Sequence, residues 1–112
     1  MGRVPVEQGT ESVAFELLHN LLTDSDKYWV KVSCAERLSK AGPPYSDVDE
    51  IAKTLIAAVP DRVLWGTDWP HPNMKSHMPD DGQLVDRVFK IAETEVLRQQ
   101  LLIDNPTRLY WP

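Results

Sequence analysis

The 112-residue chain contains a single cysteine, Cys34. One cysteine cannot form a disulfide within the chain, and it is too few for a zinc site built from several thiolates. The sequence also lacks any long apolar run, so we expect neither a membrane span nor a secretory signal. These absences fit a protein of a reducing compartment, and we predict a cytoplasmic location.

Positive charge is in deficit. Twelve Lys and Arg residues stand against 17 Asp and Glu residues, which gives a net charge of −5 at neutral pH. Nucleic-acid binding needs a basic patch, and none is visible in the sequence. We therefore expect no nucleic acid and no membrane as partners. Hydrophobic residues make up 42% of the chain, which is enough for a folded core.

Two amphipathic helices are predicted in the first 60 residues. The first covers residues 11–22, and its predicted apolar face consists of Ala14, Leu17, Leu18, Leu21 and Leu22. The second begins near Asp47, where two pairs, Ser46 with Asp49 and Asp47 with Glu50, have the spacing of a capping box. It ends before Pro60. Its predicted apolar stripe consists of Val48, Ile51, Ala52, Leu55, Ile56 and Val59.

Two apolar segments, 28–32 and 62–67, are rich in β-branched and aromatic residues and predict strands. A Pro-rich loop of about 15 residues, 68–82, follows the second strand. Helices are predicted over 83–92 and 95–102, the second capped by Thr94, with Asn105 capping a short final helix. Alternating strands and helices predict an α/β fold with parallel strands, and two strands are few for such a sheet.

The most informative polar residue is Asp68, at the carboxyl end of the second strand. Catalytic groups of α/β barrels lie at that end of the strands, where a carboxylate can act as a general base or bind a metal. Capping of the following turn explains Asp68 equally well. His71 lies three residues further on and is a weaker candidate ligand. Trp69 is the tryptophan that we place nearest a site.

Arginine side chains offer a rigid fork of donors that suits carboxylates. Arg37 follows the first strand at the same end as Asp68, and Arg3 lies in the irregular start of the chain. Taken alone, each is better explained as a solvated surface residue. We expect Cys34 to be a small buried residue rather than a nucleophile, because no activating group adjoins it in the sequence.

Two segments carry a resemblance to a known family. RVLWGTDWPHP (62–72) and DNPTRLYWP (104–112) resemble the last barrel strand and the C-terminal helix of the amidohydrolase-related, metal-dependent hydrolases. The resemblance covers essentially the whole chain and is closest to the branch of 2-pyrone-4,6-dicarboxylate lactonases. It implies a (β/α)8 TIM barrel, a fold that takes about 250 residues.

Within that barrel, residues 1–112 would form a single segment, the C-terminal part, with strands seven and eight and their flanking helices. Met1-Gly2-Arg3 resembles the end of an internal motif of the lactonases. We therefore expect a truncated or miscalled reading frame.

The resemblance also implies roles for individual residues. Asp68 would activate water for attack on a cyclic ester. Arg3 and Arg37 would bind the carboxylates of a small dicarboxylate lactone from aromatic, lignin-derived catabolism, with His71 as a further substrate-binding residue. The resemblance to this branch also implies that no cofactor is needed. In a metal-dependent hydrolase or decarboxylase branch, Asp68 would instead bind zinc or manganese together with residues outside this chain.

We expect the 112-residue chain alone to be inactive, because the remaining strands would carry the rest of the site. A different kind of hypothesis is that the chain is a remnant of an enzyme and has no catalytic activity. Exposed parallel strand edges would then favour association into a homo-oligomer.

Overall fold

The computed structural model describes residues 1–112 and contains one parallel pair of strands. Strand β1 is Val30–Lys31 and strand β2 is Val63–Leu64. Val30 lies opposite Val63, and Lys31 lies opposite Leu64. The strands are shorter than the predicted segments because each has a single neighbour with which to form ladder hydrogen bonds. The predicted parallel arrangement is confirmed.

Six α-helices accompany the strands. They are α1 (Val13–Thr23), α2 (Ala35–Leu38), α3 (Asp49–Ala58), α4 (Asp81–Ile91), α5 (Glu95–Gln99) and α6 (Asn105–Tyr110). Short 3-10 turns, Gly9–Glu11 and Ser46–Val48, precede α1 and α3. A π-helical stretch, Gln100–Asp104, joins α5 to α6.

Helix α1 begins at Val13 because the Ser12 hydroxyl accepts a hydrogen bond of 3.0 Å from the Phe15 backbone N–H. Its predicted inner face is partly wrong. Phe15 and Leu22 are buried, whereas Leu17 and Leu21 are 66% and 45% exposed and Ala14 is exposed too. The large Phe15 ring enters the core and turns the helix, so that the face through Phe15, Leu18 and Leu22 packs inward.

Helix α3 carries the most regular apolar pattern. Every residue of the predicted stripe is buried, and Pro60 lies just beyond the end of the helix. The predicted capping box is wrong, because no side chain caps the start of α3. The Asp47 carboxylate instead accepts hydrogen bonds from the Ser39 hydroxyl (2.6 Å) and from the backbone N–H groups of Lys40 (2.8 Å) and Ala41 (3.2 Å). Asp47 therefore fixes the loop that precedes the helix.

The C-terminal helices are continuous from Glu95 to Tyr110. The predicted cap at Thr94 is confirmed, since its hydroxyl accepts from the Leu97 N–H. The predicted cap at Asn105 is wrong. Its buried amide donates to the carbonyls of Pro60 (2.8 Å) and Val63 (2.9 Å), so it ties α6 to strand β2. A buried amide satisfies these carbonyls where no sheet partner does.

The hydrophobic core lies between the two strands and helices α1, α3 and α4. Its members include Leu22, Val32, Leu55, Val63 and Val88, all nearly inaccessible to solvent. None of the helices combines the length and apolarity that crossing a bilayer requires.

Candidate active site

A groove of about 910 Å³ runs along the strand face that points away from this core. Lys31, Ser33, Leu64 and Gly66 form its floor, and the loops that follow the strands form one end. That end holds Cys34, Glu36, Arg37, Asp68, Asn73 and Met74. In parallel α/β folds the carboxyl ends of the strands are the usual place for a site, because the loops converge there.

A hydrogen bond beyond the strands joins the two chain segments that form this end. The Gly66 backbone N–H donates to the Ser33 hydroxyl at 2.9 Å. It continues the line of the ladder bonds from Val30 N–H to Arg62 C=O (3.1 Å) and from Val32 N–H to Leu64 C=O (2.9 Å). The segments that carry Cys34 and Asp68 are therefore held side by side.

Arg37 and Asp68 meet at the mouth of the groove. Nη1 of Arg37 lies 3.9 Å from Oδ2 of Asp68, and each side chain is 28% exposed. At this distance the two groups attract electrostatically without a hydrogen bond, and Oδ2 has no hydrogen-bond partner. The structure thus brings together two of the predicted site residues and leaves the binding capacity of both available.

Several residues at this end of the strands have left-handed backbone conformations. The φ angles are 64° at Cys34, 68° at Asp68 and 60° at His71. Such angles are costly for residues with a Cβ and persist where the surrounding structure fixes them, which is frequent at functional sites. The Asp68 turn is closed by a hydrogen bond of 2.7 Å from the His71 N–H to the Asp68 C=O.

Arg3 lies on the rim of the groove and is exposed. It forms no ion pair, so its guanidinium is available to an anion that enters the groove. Trp69 follows Asp68 directly, but it is 73% exposed and does not line the groove, so a role for it at the site stays a prediction.

His71 is buried behind the groove and does not line it. Its Nε2 lies 2.9 Å from Oδ1 of Asp81 at the start of α4, and its Nδ1 lies 3.7 Å from Oε1 of Glu36. These contacts connect the Pro-rich loop to α4 and bring it near α2. Substrate binding by His71 stays a prediction, and its observed contacts are those of a residue that holds the loop.

Sequence reasoning missed Glu36, which is buried beside Arg37 in α2. Its position in the first turn after a strand was the available signal, the same one that singled out Arg37. Cys34, expected to be buried, is partly accessible and lines the groove. Burial raises the pKa of its thiol, and the Asp68 and Glu36 carboxylates raise that pKa further, whereas Arg37 lowers it in part. The expectation that Cys34 is no nucleophile stays a prediction.

The donor atoms at this end of the groove suit a divalent cation. Cys34, Glu36 and Asp68 each offer one ligand atom, and the three atoms lie within 4.8 Å of one another. Neither oxygen of Glu36 has a hydrogen-bond partner, nor does Oδ2 of Asp68. The residues present therefore fit a metal ion, although no histidine is among them.

A parallel α/β unit with a polar groove at the carboxyl ends of its strands is the arrangement found in barrel-type folds. The amidohydrolase family model matches residues 1–111, and the chain belongs to this family. Its fold is the C-terminal part of a (β/α)8 TIM barrel, as expected from the sequence.

Two bacterial lactone hydrolases are similar in sequence. The 2-pyrone-4,6-dicarboxylate hydrolase of Comamonas testosteroni is 52% identical over 120 aligned positions, which cover 100% of this chain and 39% of that protein. The 4-sulfomuconolactone hydrolase of Rhizobium radiobacter is 42% identical over 97% of this chain and 37% of its own length. The chain thus spans under two fifths of the length of these relatives.

A solved structure shares the fold. The crystal structure of a probable 2-pyrone-4,6-dicarboxylic acid hydrolase from Acinetobacter baumannii, with citric acid bound, superposes with a TM-score of 0.78 at 26% identity. The match covers 99% of this chain and 41% of that protein.

Proposed function

We propose that this chain forms part of the active site of a hydrolase that opens a small anionic lactone. The observation that carries the proposal is the approach of Arg37 Nη1 to Asp68 Oδ2, at 3.9 Å, in the mouth of the groove. The similarity to two lactone hydrolases supports the reaction class. Citric acid, a tricarboxylate, is bound in the Acinetobacter baumannii relative, which supports an anionic ligand.

In the proposed reaction Asp68 acts as the general base. Its carboxylate takes a proton from water while the water oxygen forms a bond with the lactone carbonyl carbon. The ring C–O bond then breaks, and the departing oxygen is protonated from solvent or a neighbouring acid. The free Oδ2 of Asp68 supports this role, because it can accept the proton without first losing another hydrogen bond.

Arg37 and Arg3 are proposed to bind the carboxylates of the substrate. The guanidinium group forms two parallel hydrogen bonds with a carboxylate, so it fixes orientation as well as charge. Arg37 adjoins Asp68, and Arg3 stands on the rim of the same groove. A dicarboxylate such as 2-pyrone-4,6-dicarboxylate offers one anionic group to each arginine.

The test is a chimera in which this chain replaces the corresponding 39% of the Comamonas testosteroni hydrolase. We expect the chimera to hydrolyse 2-pyrone-4,6-dicarboxylate and the isolated 112-residue chain to be inactive. The rate at which the same chimera hydrolyses 4-sulfomuconolactone is compared with its rate on 2-pyrone-4,6-dicarboxylate. A folded chimera that opens neither lactone would contradict the proposal. Turnover by the isolated chain would contradict only the expectation that this chain alone is inactive.

The metal-dependent alternative rests on the unpartnered oxygens of Asp68 and Glu36. In that case zinc or manganese would be bound through Asp68 and residues outside this chain. Treatment of the chimera with a chelator distinguishes the metal-dependent reaction from the metal-free one. Loss of activity that added zinc or manganese restores indicates the metal-dependent branch, and unchanged activity indicates the metal-free lactonase.

A second candidate function is self-association without catalysis. Helix α1 exposes Val13, Leu17 and Leu21, at helical spacing on one face, and this surface favours a homo-oligomer.

A cytoplasmic location and the organisation of residues 1–112 as a single barrel segment also stay predictions.

A further inference from the structure

The Pro-rich loop forms part of the wall of the groove. In addition to Asp68, two of its residues line the groove, Asn73 and Met74. The loop continues to Asp80, which caps the start of α4. Because the loop contributes to the wall, its position determines how wide the groove is at this end.

The first half of the loop is fixed by its own backbone and by His71. The His71 N–H donates to the Asp68 C=O at 2.7 Å, and the Met74 N–H donates to the His71 C=O at 3.0 Å. The His71 ring is buried, and its Nε2 lies 2.9 Å from Oδ1 of Asp81 in α4. This half therefore has several contacts that hold it in place.

The second half of the loop has a single hydrogen bond. Among residues 75–79 only His77 forms one, through Nε2, which lies 2.7 Å from the hydroxyl oxygen of Tyr45. The two rings also pack edge to face, with their centroids 6.2 Å apart. Pro79 is buried, but it fixes only the far end of this half. The bond thus joins the loop to the segment that precedes α3.

Tyr45 is a rigid anchor for this bond. Its side chain is fully buried. Its N–H donates to the Gly42 C=O at 2.8 Å, and its C=O accepts from the Val48 N–H at 3.1 Å. His77 is the sole hydrogen-bond partner of the hydroxyl group. A buried hydroxyl without a partner is costly, so the anchor favours the loop position in which His77 meets it.

Neither Tyr45 nor His77 lines the groove, so neither is placed to touch a substrate. We infer that they are positioning residues, whose hydrogen bond holds the Pro-rich loop against the groove in the position that receives the substrate. Without this bond we expect the displaced loop to predominate, so that substrate binding must first bring the loop back. The consequence for substrate binding rests on the proposed function, whereas the effect on the loop does not.

Limited digestion with trypsin tests the bond in the 112-residue chain. The loop contains one tryptic site, at the exposed Lys75, two residues before His77. Cleavage there requires the loop to leave its place, so its rate follows the displaced fraction. We expect Tyr45→Phe and His77→Ala each to accelerate this cleavage about threefold to tenfold. Cleavage after Lys27, in the exposed segment between α1 and β1, is the internal control and should not change.

The double variant Tyr45→Phe/His77→Ala decides whether one bond accounts for both effects. Its cleavage rate should equal that of either single variant, because the second substitution has no further bond to remove. His77→Gln places an amide nitrogen near the position of Nε2 and should restore part of the protection. Far-ultraviolet circular dichroism verifies that each variant is folded.

The chimera described above measures the consequence for the substrate. Tyr45→Phe should raise KM about threefold to tenfold and leave kcat unchanged, because bound substrate holds the loop in place. A merely structural role would lower the amount of folded enzyme, and hence the apparent kcat, without a change in KM. Tyr28→Phe, which removes the hydroxyl of a half-exposed tyrosine, is the matched control and should change neither constant.

Equal rates of cleavage after Lys75 in the Tyr45→Phe and original chains would overturn the inference, as would additive effects in the double variant. Faster cleavage with an unchanged KM in the Tyr45→Phe chimera would overturn the role in substrate binding. A chimera that opens no lactone would overturn the proposed function and this role with it. The cleavage rates would then still decide whether the bond holds the loop.

Discussion

The carboxylate of Asp68 and the guanidinium of Arg37 lie 3.9 Å apart, although 31 positions separate them in the sequence. They meet because each follows one strand of a parallel pair, and parallel strands end at the same edge. A carboxylate and a guanidinium group therefore occupy one end of the groove.

Replacement of Arg37 should affect substrate binding more than the chemical step. In the chimera, Arg37→Ala removes charge-assisted hydrogen bonds to a substrate carboxylate and should lower kcat/KM about tenfold to a hundredfold, mainly through KM. Arg37→Lys should restore part of the loss. Lys40→Ala, which removes an exposed cation near the same helix, is the control. Equal effects of Arg37→Ala and Lys40→Ala on KM would argue against carboxylate binding by Arg37.

Loss of the Asn105 amide should destabilise the chain. Asn105→Ala leaves the Pro60 and Val63 carbonyls without their donors, and we expect a loss of about 1–3 kcal/mol in the free energy of unfolding. Urea denaturation measures it. Asn20→Ala, at an exposed position of α1, should change stability by less than about 0.5 kcal/mol. A similar small change for Asn105→Ala would show that the amide does not hold α6 against β2.

Asp47 should make stability depend on pH. Partial burial alone would raise the pKa of its carboxyl, but hydrogen bonds from Ser39, Lys40 and Ala41 outweigh it and lower the pKa below 3.8. The stabilisation is therefore complete well above pH 3.8 and is lost as the pH falls through the lowered value.

Denaturation curves from neutral to acid pH test this linkage. Asp47→Asn should be less stable than the original chain near neutral pH, and the difference should shrink in acid. Asp86→Asn, at an exposed position of α4, serves as the control. A constant difference at every pH would exclude the ionised carboxylate of Asp47 as the source of stability.

The exposed stripe of α1 should drive association of the isolated chain. Leu17→Glu places a charge in the middle of this apolar face and should shift the mass measured by light scattering toward the 12.8 kDa monomer. Ala57→Glu adds the same charge at an exposed position of α3 and should leave the mass unchanged. If light scattering gives the mass of a monomer for the unsubstituted chain, the proposed oligomer is excluded.

The sequence predicts those features that depend on local pattern. The apolar residues of α3 repeat every three to four positions, so their burial follows from this periodicity. Asp68 directly follows an apolar segment, so the sequence also predicts that it lies at the carboxyl end of a strand. The rotation of α1 depends on Phe15, whose size outweighs a longer row of leucines.

Side-chain partners distant in sequence could not be predicted in this way. Asp47 has the spacing of a cap, yet it binds a loop that folds back toward it. Asn105 precedes a proline as helix caps do, yet it reaches strand β2. The meeting of Glu36 with Asp68 depends on the register of two strands, which no single segment encodes.

The most direct test of the central claim is the turnover number of the chimera carrying Asp68→Asn. Asparagine keeps the size of the side chain and removes its capacity to accept a proton. We predict that kcat falls about a hundredfold or more while the protein remains folded. Normal turnover of the Asp68→Asn chimera, or of the double variant that also carries Arg37→Ala, would contradict the assignment of this groove as the lactone-hydrolysing site.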